Sequence, residues 1–184
     1  MLIESMLLAL IIGFILKGSI KNFKDADLAH IELIFIGFAM ETSMVLLIRG
    51  GFILNNPLKI IFHLSMYILL FIFVYLNRKH YEILIMGFGF LLNVLAIFTN
   101  GGVMPVSRDA MVYAGMGNMA DTISSQGLYK LLDKSTILPF LCDVIPRPYP
   151  RPFVISAGDI FIAIGVFILV LDLMKCKPII KMER

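Results

Sequence analysis

Four polar side chains interrupt long apolar stretches of the sequence and could act together. They are two carboxylates, an imidazole and an amide: Glu41, His63, Asn93 and Asp159. Ionisable groups inside a membrane span are costly and usually face the interior of a helix bundle. Counting along helices at about 1.5 Å per residue places all four roughly 5–10 Å below the same face. We therefore predict one polar pocket that binds an ion, a small molecule or a lipid headgroup.

Each of these residues also has a purely structural interpretation. The S-x-x-D pattern at 156–159 is typical of a capping box, in which serine and aspartate close the first turn of a helix. His63 fits a hydrogen-bonded interior histidine, and Asn93 fits a bond between helices. Glu41 must be protonated, paired or hydrated, and Arg49, further along the same run, is a candidate partner.

The stretch NGGVMPVS at 100–107 ends an apolar run with Asn100 and two glycines. Glycine supplies the left-handed residue that closes a helix, and Pro105 prevents its continuation. Because this stop falls at the level of the polar residues, we expect Asn100, Ser107 and Arg108 to add to the pocket.

Composition sets the class of protein that must position these groups. Hydrophobic residues make up 59% and charged residues 16%, and the mean hydropathy is +0.92. A soluble domain has about 45–50% apolar and about 25% charged residues. The sequence therefore predicts an all-α integral membrane protein that forms a single domain over 1–184. Five runs approach the roughly 20 apolar residues that span a bilayer: about 2–16, 28–48, 58–76, 81–99 and 156–174.

The segment 100–155 is predicted to be extracytoplasmic and partly helical. Ser107 is expected to cap a short helix that runs to Gly115, and 122–133 to form another. The alternating prolines of IPRPYPRP at 145–152 predict an extended polyproline strap.

Orientation follows from Lys and Arg in the short loops. Nine of them fall on one side: Lys17, Lys21, Lys24, Arg78, Lys79, Lys175, Lys177, Lys181 and Arg184. The short loop on the other side has only Arg49 and Lys59. We expect a multi-pass protein of the cell membrane with its N-terminus outside and its C-terminus in the cytoplasm. When the lysines and arginines of 100–155 are counted as well, the two sides of the membrane carry nine and seven.

Three ordered blocks resemble a known family: NGGVMPVS at 100–107, TILPFLCDVIP at 136–146 and ISAGDIFIAIGVF at 155–167. They are similar to the bacterial membrane-protein family named domain of unknown function 5317. The resemblance implies a small polytopic protein of the bacterial cell membrane, and it implies no activity.

A second resemblance is to lipoprotein signal peptidases. Their two aspartate motifs are similar to GNMAD at 117–121 and to Gly158-Asp159. It implies a membrane-embedded hydrolase in which Asp121 and Asp159 activate water, since one carboxyl can hold a proton while the other takes one. This chain departs from that family in its five predicted helices and in Ser156, where the family has asparagine.

Other classes find no support in the sequence. Walker A, GxGxxG, CxxC, HExxH and Ser-centred elbow motifs are absent, so no cofactor and no metal site are predicted. The net charge of +3 reflects the loop lysines and does not indicate nucleic-acid binding. The alternatives to a binding protein are the aspartyl hydrolase and an accessory subunit whose segment 100–155 faces a protein partner. A homodimer is also compatible with the sequence.

Overall fold

The chain is mostly helical in a computed structural model, which describes residues 1–52, 56–120, 123 and 129–175, apart from the side chains of Arg49 and Asn56. The helices are α1 Leu2–Ile15, α2 Glu32–Arg49, α3 Asn56–Leu76, α4 Tyr81–Thr99, α5 Arg108–Tyr113 and α6 Ala157–Leu173. Each of the five predicted apolar runs thus corresponds to one of α1 to α4 and α6, with ends that differ by up to four residues. The short α5 lies between α4 and α6.

Two of these helices are long and apolar enough to cross a membrane by length and composition. They are α3, through Pro57–Leu76, and α4. Only 28% of the apolar stretch of α3 is buried, whereas the core helix of a soluble protein is mostly buried. α2 carries the charged residues Glu32, Glu41 and Arg49 along its length, and α6 has 17 residues, slightly fewer than a bilayer requires.

The five long helices pack side by side in the order α1, α6, α4, α3, α2. The largest core cluster joins α3, α4 and α6 around Leu70, Phe90 and Ile162. A smaller cluster around Ala9 and Val170 joins α1 to α6. α4 and α6 therefore form the centre of the row, and α2 lies at its edge, packed on α3.

Glycines bring the backbones of α4 and α6 together. A Cβ placed at Gly89 would lie 2.5 Å from the carbonyl oxygen of Gly158, and one at Gly158 would lie 2.7 Å from the carbonyl oxygen of Gly89. At the other end of the same contact, a Cβ at Gly165 would lie 2.7 Å from the carbonyl oxygen of Glu82. Such a stripe of small residues is the usual means of close helix packing in membranes.

α4 ends as the glycines at 101 and 102 predict. Both glycines have positive φ, of 80° and 81°. The Gly102 N–H donates to the Ile97 carbonyl at 2.9 Å, and the Gly101 N–H donates to the Phe98 carbonyl at 3.4 Å. This pair of bonds is the Schellman motif, so the prediction of a helix stop is confirmed.

Two buried asparagines hold distant backbone segments against the ends of α3 and α4. Asn77 binds both backbone polar groups of Ala29 at 2.8 Å. Asn100 does the same with Ile137, donating to its carbonyl at 2.8 Å and accepting from its N–H at 3.0 Å. A loop residue that crosses a helix end has no backbone partner for its N–H and C=O groups. Each amide thus supplies a hydrogen-bond partner for both groups.

We call residues 100–155 the cap segment, and its described residues, 100–120, 123 and 129–155, lie over one end of the helices. Strand β1, Met104–Val106, pairs in parallel with β2, Tyr129–Leu131, and β3, Ile145–Arg147, pairs antiparallel with β4, Phe153–Ile155. The cap segment has an apolar cluster of its own around Met111. Leu141 and Cys142 pack on Ala96 of α4 and attach the cap segment to the row.

One prediction for the cap segment is confirmed and two are wrong. Ser107 caps α5 as predicted, accepting from the Ala110 N–H at 3.2 Å. The prediction of a helix over 122–133 is wrong for Tyr129–Leu131, which form a strand; most of the rest of that range lies outside the described residues. The polyproline strap is also wrong, because the chain reverses between β3 and β4 and pairs with itself.

The close packing of α4 on α6 predicts the effect of one added methyl group. Gly165→Ala should lower the free energy of unfolding by about 1–3 kcal/mol, because the new carbon meets backbone that cannot move aside. The matched control is Gly37→Ala in α2, where the new carbon would make ordinary contacts with Leu70. Thermal unfolding of the purified protein should show a lower midpoint for Gly165→Ala alone. Equal midpoints for both variants would contradict the close contact.

Candidate functional site

A cavity of about 220 Å³ lies between the helices and the cap segment. Residues of α2, α3, α4 and α6 line it together with residues of β1, β2 and β4 and with Asp143, which precedes β3. Its polar lining residues are Glu41, His63, Tyr67, Asn93, Tyr129, Asp143 and Asp159. The structure thus brings Glu41, His63, Asn93 and Asp159 to one cavity; that they bind a ligand stays a prediction.

Asp159 is fixed by hydrogen bonds on both carboxylate oxygens. One oxygen accepts from the Asn93 side-chain amide at 3.1 Å, and the other accepts from the Ser156 N–H at 3.1 Å. The Ser156 hydroxyl accepts from the Asp159 N–H and donates to the Asn93 Oδ1 at 2.8 Å. The capping box predicted at 156–159 is therefore confirmed, and Asn93 extends it across to α4. The carboxylate is held rigidly at the cavity wall.

His63 is the unsatisfied group of the cavity. Its side chain is buried, with 7% of the residue exposed, and neither ring nitrogen has a hydrogen-bond partner among the described residues. Buried polar groups normally have partners, and an unpaired one costs about 1–3 kcal/mol. His63 is therefore a buried, unpartnered imidazole that lines the cavity, and its binding of a ligand stays a prediction.

Glu41 marks the open side of the cavity. It lies on α2, the edge helix of the row, and it is exposed although it also lines the cavity. The side chain of Arg49, its predicted partner, lies outside the described residues. Glu41 is therefore the most exposed of the three acids that line the cavity.

Asp143 is a cavity residue that sequence analysis missed. It is 6% exposed, and its backbone bonds with Pro105 and Ser107 hold it against β1. Burial, and then the negative charge of Asp159, raise the pKa of its carboxyl group well above the usual range. The signal available in the sequence was an acid inside the apolar block TILPFLCDVIP at 136–146.

A second cavity, of about 240 Å³, adjoins the first between α2 and the cap segment. The two share the lining residues Val45, Tyr129, Asp143 and Phe153. The rest of its lining is apolar: Ile48, Val106, Met111, Met116, Met119, Ile123 and Val154. A polar chamber and an apolar chamber therefore meet at Asp143.

Other predicted site residues lie away from these chambers. The Asn100 amide binds Ile137, as described above, and Ser107 caps α5. Arg108 is exposed at the start of α5. Asp121, the predicted catalytic partner of Asp159, lies outside the described residues, so the hydrolase interpretation stays a prediction. The described carboxylates that share the cavity with Asp159 are Glu41 and Asp143.

The fold and the cavity define a mostly helical protein, with helices apolar enough for a membrane and an acidic chamber beneath a small cap. No solved structure matches this chain. An uncharacterized protein of Thermotoga maritima is 32% identical to it over 171 residues, which cover 91% of this chain and 89% of that protein. Residues 25–171 match the Family of unknown function (DUF5317), and the chain belongs to that family.

The raised pKa of Asp143 predicts how stability depends on pH. The folded protein holds this proton more tightly than the unfolded chain, so the contribution of Asp143 is greatest below about pH 4 and is lost as the pH rises toward the folded pKa. Asp143→Asn removes that contribution, and the unfolding midpoint of the variant should fall less between pH 5 and pH 8 than that of the wild type. Asp109→Asn, an exposed acid of the same segment, serves as control. Identical pH profiles for the wild type and Asp143→Asn would contradict the prediction.

Proposed function

We propose that this chain is a multi-pass membrane protein that binds a cationic molecule with an apolar portion in the two chambers beneath its cap segment. The five long helices cross the bilayer, and the cap segment lies on the extracytoplasmic side. The observation that carries the proposal is the cavity itself, which joins acids from α2, α6 and the cap segment to a buried imidazole.

The outward surface of the helices supports embedding in a bilayer. Large apolar side chains are exposed on all five long helices, among them Ile11, Phe35, Ile68, Phe88 and Ile164. A soluble protein seldom exposes so many large apolar side chains, whereas lipid chains cover them without cost. Helices α1 and α6 are short for a span, and flanking residues or local thinning of the bilayer accommodate such lengths.

Loop charges support the orientation. The nine lysines and arginines named above follow α1, α3 and α6, which places those helix ends in the cytoplasm. The cap segment follows α4 at the opposite end. The N-terminus accordingly lies outside and the C-terminus inside.

The charge of the lining supports a cationic ligand. Glu41, Asp143 and Asp159 line the polar chamber, and no lysine or arginine of the described residues lines it with them. Isolated buried carboxylates are strongly disfavoured unless a proton or a cation compensates them. A protonated amine or quaternary ammonium group supplies that charge, and the aromatic rings of Tyr67 and Tyr129 suit such a cation.

The apolar chamber supports a ligand with a hydrocarbon portion. Met111, Met116 and Met119 line it, and methionine adapts readily to apolar ligands of different shape. Single ligand pockets usually measure about 300–1,000 Å³, so each chamber alone is small. A molecule that occupies both would place its charge beside Asp143 and its apolar part among the methionines.

Thermal stabilisation by three six-carbon probes tests the ligand chemistry. Protonated hexylamine should raise the unfolding midpoint of the purified protein at neutral pH, and neutral hexanol and anionic hexanoate should raise it much less. Glu41→Gln should weaken the apparent affinity for hexylamine at least fivefold, because it removes one charge without changing size. Glu32→Gln, an exposed acid on the same helix, should leave it unchanged. Equal stabilisation by hexanol would contradict a cation site.

Labelling of single cysteines in intact cells tests the orientation separately. In a background with Cys142 and Cys176 replaced by alanine, Tyr149→Cys in the cap segment should react with a membrane-impermeant maleimide. Lys79→Cys, between α3 and α4, should react only after the cells are opened. Both wild-type side chains are exposed, so access depends on the side of the membrane alone. The reverse pattern would contradict the orientation and leave the cavity unaffected.

A further inference from the structure

Three potential metal ligands meet at the end of the helices opposite the cap segment. His80 is the N-cap residue of α4, Glu82 lies in its first turn, and Asp172 lies at the end of α6. One ligand atom from each residue lies within 4.8 Å of the other two. The Gly165 contact with the Glu82 backbone brings the two helix ends together.

The hydrogen bonding of His80 leaves one nitrogen with a lone pair. Its Nε2 lies 3.1 Å from the Asp27 carbonyl oxygen, and a carbonyl can only accept, so Nε2 carries the hydrogen. In a neutral imidazole the lone pair is then on Nδ1, which lies 3.3 Å from Glu82 Oε1. Two acceptors at this distance require a proton or a cation between them.

Glu82 adds a buried carboxylate to the cluster. The residue is 1% exposed, and its Oε1 has no hydrogen-bond partner among the described residues. The nearby lysines are paired with other acids, Lys79 with Asp27 and Lys175 with Asp25. A buried carboxylate without such compensation is costly.

We propose that His80 Nδ1 and the carboxylates of Glu82 and Asp172 bind a divalent transition-metal ion of the zinc type. Zinc binds nitrogen and oxygen ligands at about 2.0–2.2 Å, and two tetrahedral ligands at that distance lie about 3.3 Å apart. The separation of Nδ1 from Oε1 has this value. Two carboxylates neutralise the ion, and the imidazole favours a transition metal over magnesium or calcium.

The surroundings match those of known metal ligands. A ligating histidine typically donates its other N–H to a carbonyl or carboxylate, as His80 does to Asp27. Asp172 is exposed, so its carboxylate can adjust to the ion. The ion would link the start of α4 to the end of α6. This site is independent of the cap cavity, and its failure would leave the proposed function untouched.

Metal titration of the untagged, full-length protein in detergent tests the site. After treatment with a chelator, the wild type should bind one Co²⁺ or Zn²⁺ per chain, with a visible Co²⁺ absorption band and a higher unfolding midpoint. Asp172→Asn and Glu82→Gln should each weaken Zn²⁺ binding at least tenfold. The Asp172 side chain is exposed, so Asp172→Asn should fold as the wild type does. Asp25→Asn, an exposed acid nearby, should retain wild-type affinity.

Two results would overturn the proposal. Absence of binding by the wild type at micromolar Zn²⁺ would mean that His80 and Glu82 form only an ion pair. Binding that survives in Asp172→Asn with unchanged affinity and absorption would place the metal elsewhere on the chain.

Discussion

The contact of α4 with α6 is the constraint on which the rest of the structure depends. Gly89 and Gly158 bring the two backbones together near the cap segment, and Gly165 does so at the opposite end. The first contact allows the Asn93 amide to reach Ser156 and Asp159 on the next helix. The second brings the first turn of α4, with Glu82, beside the last turn of α6. One stripe of glycines therefore positions both groups of polar residues.

The helices alone do not make the cavity. The cap segment supplies Met104, Tyr129, Asp143 and Phe153 to its lining, and these residues come from β1, β2, the approach to β3, and β4. The Asn100 amide fixes Ile137 to the end of α4, and Arg147 reaches Glu4 of α1 at 3.1 Å. Because these contacts attach the cap segment at separate helices, it can hold Asp143 in the same cavity as Asp159.

The sequence predicts those features that depend on residues close together in the chain. The apolar runs predict the helices, the glycines at 101 and 102 predict the end of α4, and 156–159 predict the capping box. The errors fall where distant segments pair. Tyr129–Leu131 form a strand only because β1 lies beside them, and the prolines at 146–152 occupy a hairpin because β4 returns to β3. Asp143 was missed because depth was counted only along helices. Asp172 was missed because it meets Glu82 only through the packing of α6 on α4.

The distribution of charge is the strongest argument that the cavity binds a molecule. Elsewhere three acids are paired with bases of the chain: Asp27 with Lys79, Asp25 with Lys175, and Glu4 with Arg147. In the cavity, the Asp159 carboxylate lies at the positive end of the α6 dipole and accepts hydrogen bonds from Asn93 and Ser156, which suffice for one carboxylate. Asp143 and Glu41 add two further acids without a base among the described lining residues. An apolar residue in place of the buried Asp143 would stabilise the fold more, since burying an acid opposes folding. The raised pKa of Asp143 favours its protonated form, so the proposed cation would mainly meet the carboxylates of Glu41 and Asp159.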